Sequence, residues 1–375
     1  MKYAVSQVLD ALSRVVVPSQ NKNLVRLGMI RNLNVSDNLI SFTIMLKNPG
    51  SSFARIVEDE AKQAVRTILD ADVDLRISLD NEMIGFGEDL MLSDKVESPA
   101  SSADVLNIVA VASGKGGVGK STVSVNVAVA LARQGYDVGL VDTDIYGPSI
   151  PTMFGIKDGR PSVNDERKIV PLERHGVKLL SMGFLVDPNK AVIWRGPMVS
   201  SAIKQFLGDT VWGNLDFLVL DLPPGTGDIQ LTIVQTVSLA GAVIVSTPQD
   251  VALADARKGV AMFEQVNVPV LGIVENMAFF IPPDLPDRKY YLFGEGGAQH
   301  LSEELCVPFL GEIPIEQTLR ESCDAGTPVV SDAPNSDSAR AIMHVAERIV
   351  QETDIRNATR PTTEKVEIIR GKTSN

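Results

Sequence analysis

Gly114-Lys115-Gly116-Gly117-Val118-Gly119-Lys120-Ser121-Thr122 packs four glycines, two lysines and two hydroxyls into nine residues. The run fits G-x-x-x-x-G-K-[ST], whose chemistry is phosphate binding. Glycines let successive backbone N–H groups converge on phosphate oxygens, and a helix opening at the end of the loop adds the partial positive charge of its N-terminus. Lys120 is placed to neutralise β- and γ-phosphates, the Ser121 hydroxyl to coordinate Mg²⁺, and Thr122 to donate a further bond. Lys115 needs a different account. It sits early in the loop, where its side chain does not easily fold over phosphates that the backbone already encloses, so it projects outward. There it is either a solvated loop lysine or a cation presented across an interface, as an arginine finger is, to charge that develops during hydrolysis.

Such a loop must run from a strand into a helix. It follows the apolar run "NIVAVAS" and opens the helical pattern "STVSVNVAVALARQG". Further short runs, "VGLVDTD", "FLVLDLPPG", "GAVIVSTP", "VLGIVENM" and "VPFLGEIP", recur with helical patterns between many of them. Near-continuous Val, Ile and Leu without polar alternation indicates strands covered on both faces, hence an α/β fold with a mostly parallel sheet flanked by helices. Ligands of such sheets sit at the carboxyl ends of the strands, so the polar residues closing each run are the ones to examine. Residues 1–80 read as a separate small α/β domain. It has a helix through Val5–Val15, strand-like "LVRLGMIRNLNV" and "NLISFTIMLK", the helix "ARIVEDEAKQAVRTIL" and the alternating "VDLRISL". The Ser-, Asp- and Pro-rich stretch over 81–104 reads as a linker, 105–355 as the phosphate-binding domain and 356–375 as a flexible tail.

The chain has 375 residues, 44% of them hydrophobic and 22% charged, the composition of a folded protein. Its formal net charge of -12 argues against a surface that wraps nucleic acid. The first residues lack the charged and apolar regions of a signal peptide, and no long apolar stretch occurs, so no membrane partner and a cytoplasmic location are expected. Cys306 and Cys323, the two cysteines, form neither a disulfide framework nor a Cys-x-x-Cys pair. Cys306, between a helix and a strand, suits a small buried thiol. Cys323, in a turn-rich stretch, is expected nearer the surface. The three histidines stand apart and suggest no metal site.

"GKGGVGKST" resembles the deviant P-loop of the MinD/ParA/nitrogenase-reductase superfamily. That resemblance implies a homodimer that sandwiches two ATP molecules, with Lys115 reaching across to the partner's nucleotide. "VDTDIYGPSIP" is similar to the superfamily's first switch and "FLVLDLPPGTGD" to its second. By resemblance Asp221 holds Mg²⁺ through water, Asp142 helps order the Mg²⁺ shell, Asp144 orients the attacking water, and the Asn276 amide reads adenine. Spacing alone leaves the roles of Asp142 and Asp144 interchangeable. The strings "WRGPMVSSAIKQFL", "DLPPGTGDIQLTIVQ", "STPQDVALADARKG" and "GEIPIEQTLRESCDAGTPVV" further resemble the Mrp/ApbC-type ATPases, the iron-sulfur cluster carriers, over almost all of Val105–Glu352. The front domain is similar to the PaaD-like domain often fused to them. The resemblance implies ATP and Mg²⁺ as cofactors and iron-sulfur apoproteins or scaffolds as clients.

The pattern breaks where a cluster would bind. The carriers place a Cys-x-x-Cys after the "ENM" strand, and this chain has Pro282 and Leu285 at those positions. In the front domain, "NPGSSFA" lacks a cysteine common among relatives, and "VVVPSQN" replaces an acidic turn. An iron-sulfur cluster therefore remains a possible cargo with unknown ligands. Two functions compete: an ATP-hydrolysing dimer in cluster assembly or transfer, and a nucleotide-switched scaffold that holds a partner without carrying a cluster. A spatial organiser of the MinD or ParA kind fits less well, because the tail has only "VEII" as an apolar cluster and the net charge is wrong for DNA.

Overall fold

The computed structural model describes residues 3–17, 22–36, 39–46, 49, 52–69, 73–81, 105–144, 147–184 and 196–361. The linker expected over 81–104 lies outside them except for Asn81, as do residues 362–375 of the expected tail and parts of the front-domain segments 15–21 and 48–54. The chain divides into two compact units, one of Met1–Pro99 with Gln351–Thr362, the other built on Ala100–Val350.

The first unit contains α1 (Val5–Leu12), β1 (Ile30–Val35), β2 (Leu39–Leu46), α2 (Ser52–Ile68) and β3 (Asp74–Asn81). β2 pairs antiparallel with β1 and parallel with β3, and the parallel pair requires a crossover, which α2 supplies. Alternation along β2 buries Ile40, Phe42, Ile44 and Leu46 on one face, against Ala54, Val57, Ala61 and Val65 of α2. Two expectations are corrected here. α1 stops at Leu12, and Val16–Val17 pairs instead with Lys22–Asn23. The start of "LVRLGMIRNLNV" is a turn, because the Asn23 side chain accepts from the Arg26 N–H at 2.7 Å and Gly28 takes a left-handed φ of 61°.

The second unit contains, in chain order, β4 (Val105–Ala112), α3 (Lys120–Arg133), β5 (Val138–Asp142), α4 (Ile150–Met153), β6 (Leu172–Arg174) and β7 (Val177–Ser181). There follow α5 (Gly196–Gly208), β8 (Leu215–Asp221), α6 (Asp228–Thr236), β9 (Gly241–Ser246), α7 (Asp250–Gln265) and β10 (Val270–Phe280). The last are α8 (Gly297–Leu305), β11 (Phe309–Ile315), α9 (Gln317–Ala325), α10 (Val329–Asp332) and α11 (Asp337–Thr359), whose residues from Gln351 onward belong to the first unit. One eight-stranded sheet has the order β6-β7-β5-β8-β4-β9-β10-β11, parallel throughout except where β6 turns back on β7. The runs read as buried strands are these strands, and their apolar continuity has the expected cause. In β4, Val109 and Val111 enter one core with α3, while Ile108, Ala110 and Ala112 enter the core on the other face. The β6–β7 hairpin carries too few apolar residues to stand out in the sequence, yet it forms one edge of the sheet.

α11 continues through Thr359, past the point where the tail was expected to begin, with Ala358 buried in the first unit's core. Among the described residues no helix is long and apolar enough to cross a membrane. The chain leaves the central strand β4 toward β5 on one side, and β9 joins β4 on the other. That reversal at the carboxyl end of β4 opens the crevice in which α/β sheets bind ligands.

Candidate functional site

The loop from Ser113 to Gly119 leaves β4 at this crevice and enters α3 without a capping side chain. The first turn of α3 holds no acidic residue that would offset the partial positive charge of its N-terminus, the end of a helix that suits an anion. Gly119 takes φ 81°, and a Cβ on it would come within 2.2 Å of Asn276 Nδ2. A Cβ on Gly114 would collide with the backbone of Asp255 in α7. At Gly116 and Gly117, by contrast, added Cβ atoms would meet nothing within 4 Å, which is the open side of the cradle. Val118 is buried beneath the loop. Lys115 is half-buried, and its carbonyl accepts from Ser113 Oγ at 2.9 Å. Thr122 is half-buried, with its carbonyl accepting from Asn126 Nδ2 at 2.9 Å.

Lys120 and Asp221 form the centre of the site. Asp221, at the end of β8, is fully buried, and Oδ1 receives Lys120 Nζ at 2.7 Å and Ser124 Oγ at 2.6 Å. Oδ2 receives Ser121 Oγ at 2.7 Å, and Lys120 Nζ is 3.1 Å from the same hydroxyl. The Asp221 carbonyl is held as well, by the N–H of Thr143 at 3.0 Å and its Oγ1 at 2.7 Å. This arrangement satisfies a buried charge with a cation and two hydroxyls, and it sets a lysine, a serine and a carboxylate at the mouth of an anion-binding loop.

Asp142 ends β5 directly opposite Asp221 in the parallel ladder. Its Oδ2 accepts from Ser181 Oγ at 2.9 Å and its Oδ1 from the Asp144 N–H at 3.1 Å. Asp144 lies further out in the loop, with Oδ1 accepting from the Gly147 N–H at 3.3 Å. Burial, and next the Asp221 carboxylate, push the Asp142 pKa up to about 8 despite its hydrogen bonds and Lys120. The metal-free protein therefore holds a proton on Asp142 at neutral pH. Two adjacent buried carboxylates and the Ser121 hydroxyl are hard oxygen donors, and a divalent cation such as Mg²⁺ is their fitting counter-charge.

The Asp142 pKa in the fold lies above the unfolded value of about 4. The fold thus binds the extra proton between about pH 4 and pH 8, and stability falls as pH rises through that window. Asp142→Asn keeps the neutral shape. It should melt close to the wild type near about pH 5 and on the order of 10 °C higher near about pH 9, because about three pH units of linkage separate the two conditions, measured without nucleotide or metal. A difference that does not grow with pH would refute the neutral buried carboxyl.

Asn276, in β10, is buried, and its Nδ2 donates to the Val118 carbonyl at 2.8 Å. The structure thus gives it a loop-holding bond in addition to the adenine contact expected from resemblance. Its neighbour Glu275 is buried too, and Oε2 accepts from the Ala298 N–H at 2.6 Å in the first turn of α8. Ser124, Ser181, Thr143 and Glu275 belong to this network and escape sequence reading. They meet Asp221, Asp142 and α8 across strand pairings that no local spacing encodes. Gln230, in α6, leaves Oε1 buried without a hydrogen-bond partner among the described residues.

Both expectations for the cysteines are reversed. Cys306 caps α8 with φ 54° and is exposed. Cys323 is buried on the apolar face of α9 beside Leu319, receives Asn126 Nδ2 at 3.6 Å, and burial raises its pKa. Among the described residues no group of three or more His, Cys, Asp or Glu side chains is arranged to hold a metal ion. The cysteines present do not fit an iron-sulfur cluster, which needs four strong donors.

A mostly parallel sheet with a lysine-rich glycine loop after its central strand, closed by a buried Lys–Asp–Ser cluster, defines a P-loop nucleotide-binding protein. The chain belongs to the family described as NUBPL iron-transfer P-loop NTPases, whose model matches residues 104–350. A second model, described as an iron-sulfur cluster assembly protein, matches residues 6–75. The chain is 48% identical to an iron-sulfur cluster carrier protein of a Synechocystis strain, over 91% of this chain and 96% of that one. It is 40% identical to the protein of the same description from Escherichia coli K12, over 92% and 91% respectively. Among solved structures, a nucleotide-binding protein from Archaeoglobus fulgidus in complex with ADP is 42% identical, with a TM-score of 0.55 over 64% of this chain and 95% of that one. The Pyrococcus furiosus cell division ATPase MinD, 26% identical, matches with a TM-score of 0.50 over 65% and 98%.

Proposed function

We propose that this chain binds and hydrolyses ATP as a homodimer and couples that cycle to iron-sulfur cluster assembly or transfer to apoproteins. The observation that carries the nucleotide chemistry is the buried Lys120–Asp221–Ser121 cluster at the mouth of the loop. Relatives named iron-sulfur cluster carrier proteins, matched over nine-tenths of the chain, support the cargo. The backbone from Gly114 to Thr122 encloses the phosphates, and Lys120 leaves Asp221 to neutralise them. Ser121, Asp221 and Asp142 would hold Mg²⁺, which when bound spreads the charge of the β- and γ-phosphates. Asp144, on the loop beyond Asp142, orients the attacking water, and Asn276 fixes the loop and the base.

Lys115 acts on the partner's nucleotide. Lys115→Ala should bind nucleotide normally and lose hydrolysis by about 1000-fold, the scale of a missing arginine finger. Mixing it with Lys120→Ala provides the test. Random pairing makes half the dimers mixed, each with one competent site of two, so turnover should return to about a quarter of wild type at equal ratio. No recovery at any ratio leaves Lys115 acting within its own chain.

The second reading is a nucleotide-switched scaffold that holds a partner and carries no cluster. Pro282 and Leu285 at the expected ligand positions favour it. The two readings agree on ATP and separate on iron.

A further inference from the structure

Three donors converge on the Asp221 carboxylate, and two of them have another task. Lys120 goes to the phosphates and Ser121 to the cation when nucleotide arrives, under the function proposed above, on which this inference rests. Ser124 has no such task. It lies one helical turn beyond Lys120, is fully buried, and its Oγ is 2.6 Å from Asp221 Oδ1 and 3.1 Å from the Lys120 carbonyl. A hydroxyl has one proton to give, and the Asp221 carboxylate is the nearer acceptor.

We propose that Ser124 is a positioning residue that keeps Oδ1 of Asp221 engaged throughout the nucleotide cycle and so turns Oδ2 toward the cation. Thr143 already fixes the Asp221 main chain through two bonds to its carbonyl. Only the side-chain torsions are left free, and with Lys120 and Ser121 withdrawn Ser124 is the remaining one of the three donors that restrains them. A helical serine at this position is easily dismissed as one that bonds back to the i−4 carbonyl. The shorter approach to Asp221 is what assigns it to the site.

The test reads binding rather than turnover. A fluorescent ADP analogue is titrated into wild type, Ser124→Ala and Ser124→Thr, first without metal and then against increasing Mg²⁺. Ser124→Ala should bind the analogue within twofold of wild type without metal and need about tenfold more Mg²⁺ for the half-maximal metal-dependent gain. Ser124→Thr, which keeps the hydroxyl, should return that midpoint to within about twofold. If Ser124→Ala does not fold, Ser124→Cys replaces it, with its weak donor giving an intermediate midpoint. An unchanged Mg²⁺ midpoint, or an affinity loss equal with and without metal, overturns the proposal. A wild type that binds the analogue without regard to Mg²⁺ also overturns the proposal, whereas one that binds no analogue with or without Mg²⁺ sinks the nucleotide reading beneath it.

Discussion

Lys120→Ala should lose ATP turnover by at least about 100-fold and, in the same protein, lower folding stability by about 3 kcal/mol. The first effect follows from removing the cation that meets the β- and γ-phosphates. The second follows from the structure of the nucleotide-free site, where Lys120 is 5% exposed and Asp221 fully buried with 2.7 Å between Nζ and Oδ1. Deleting one partner of a buried pair leaves the other uncompensated, although Ser121 and Ser124 still donate to the carboxylate and keep the cost toward the low end. A second substitution separates the two effects. Lys120→Ala/Asp221→Asn removes the orphaned charge, so urea unfolding should recover most of the lost stability while phosphate release stays abolished. Turnover of Lys120→Ala within twofold of wild type would remove the phosphate-site assignment. A single variant as stable as wild type would show that the two serines alone satisfy Asp221.

The activity half of that prediction is legible in the sequence and the stability half is not. Lys120, Ser121 and the glycines lie in one contiguous motif whose backbone geometry is local, so their types and spacing announce the phosphate cradle. The sheet was legible for a similar reason, because strands buried on both faces cannot alternate and must read as apolar runs. What binds Asp221 comes from residues about 80 to 100 positions away in the chain, through the pairing of β8 with β4 and β5. A serine such as Ser124 or Ser181 carries no signal by itself. The cysteines show the opposite failure: local texture suggested a buried Cys306 and an exposed Cys323. A left-handed helix cap put the first in solvent, and the apolar face of α9 took the second inside.

The isolated protein, treated anaerobically with iron and sulfide, should retain far less than the about two irons per chain that a four-iron cluster shared by two copies requires. Phe280 and Tyr290 exchange backbone hydrogen bonds at 2.9 and 2.8 Å and close the intervening loop. Within it the Leu285 N–H donates to the Pro282 carbonyl at 3.0 Å, with Pro283 at the second turn position, where its fixed φ suits a β-turn. Such a turn holds its first and fourth residues within about 7 Å. The backbone therefore suits a pair of metal ligands, while a pyrrolidine ring and an isobutyl group supply no lone pair. Pro282, Pro283 and Pro286 instead wall a cavity of about 520 Å³ with Phe280, Pro314 and Ile315. Cys323 is buried with a raised pKa, so only Cys306 offers an exposed thiol, two per pair of chains where four are needed. Pro282→Cys/Leu285→Cys should restore about two irons and two sulfides per chain, since the turn already has the required spacing. Cys306→Ser/Cys323→Ser added to that variant should change nothing. Wild type that reconstitutes to about two irons per chain, and loses them in Cys306→Ser/Cys323→Ser, would instead make this chain a direct carrier through its own two cysteines. If the wild type stays empty and its ATP turnover is intact, any cluster must ride on thiolates that a partner brings, and the nucleotide cycle acts on that partner.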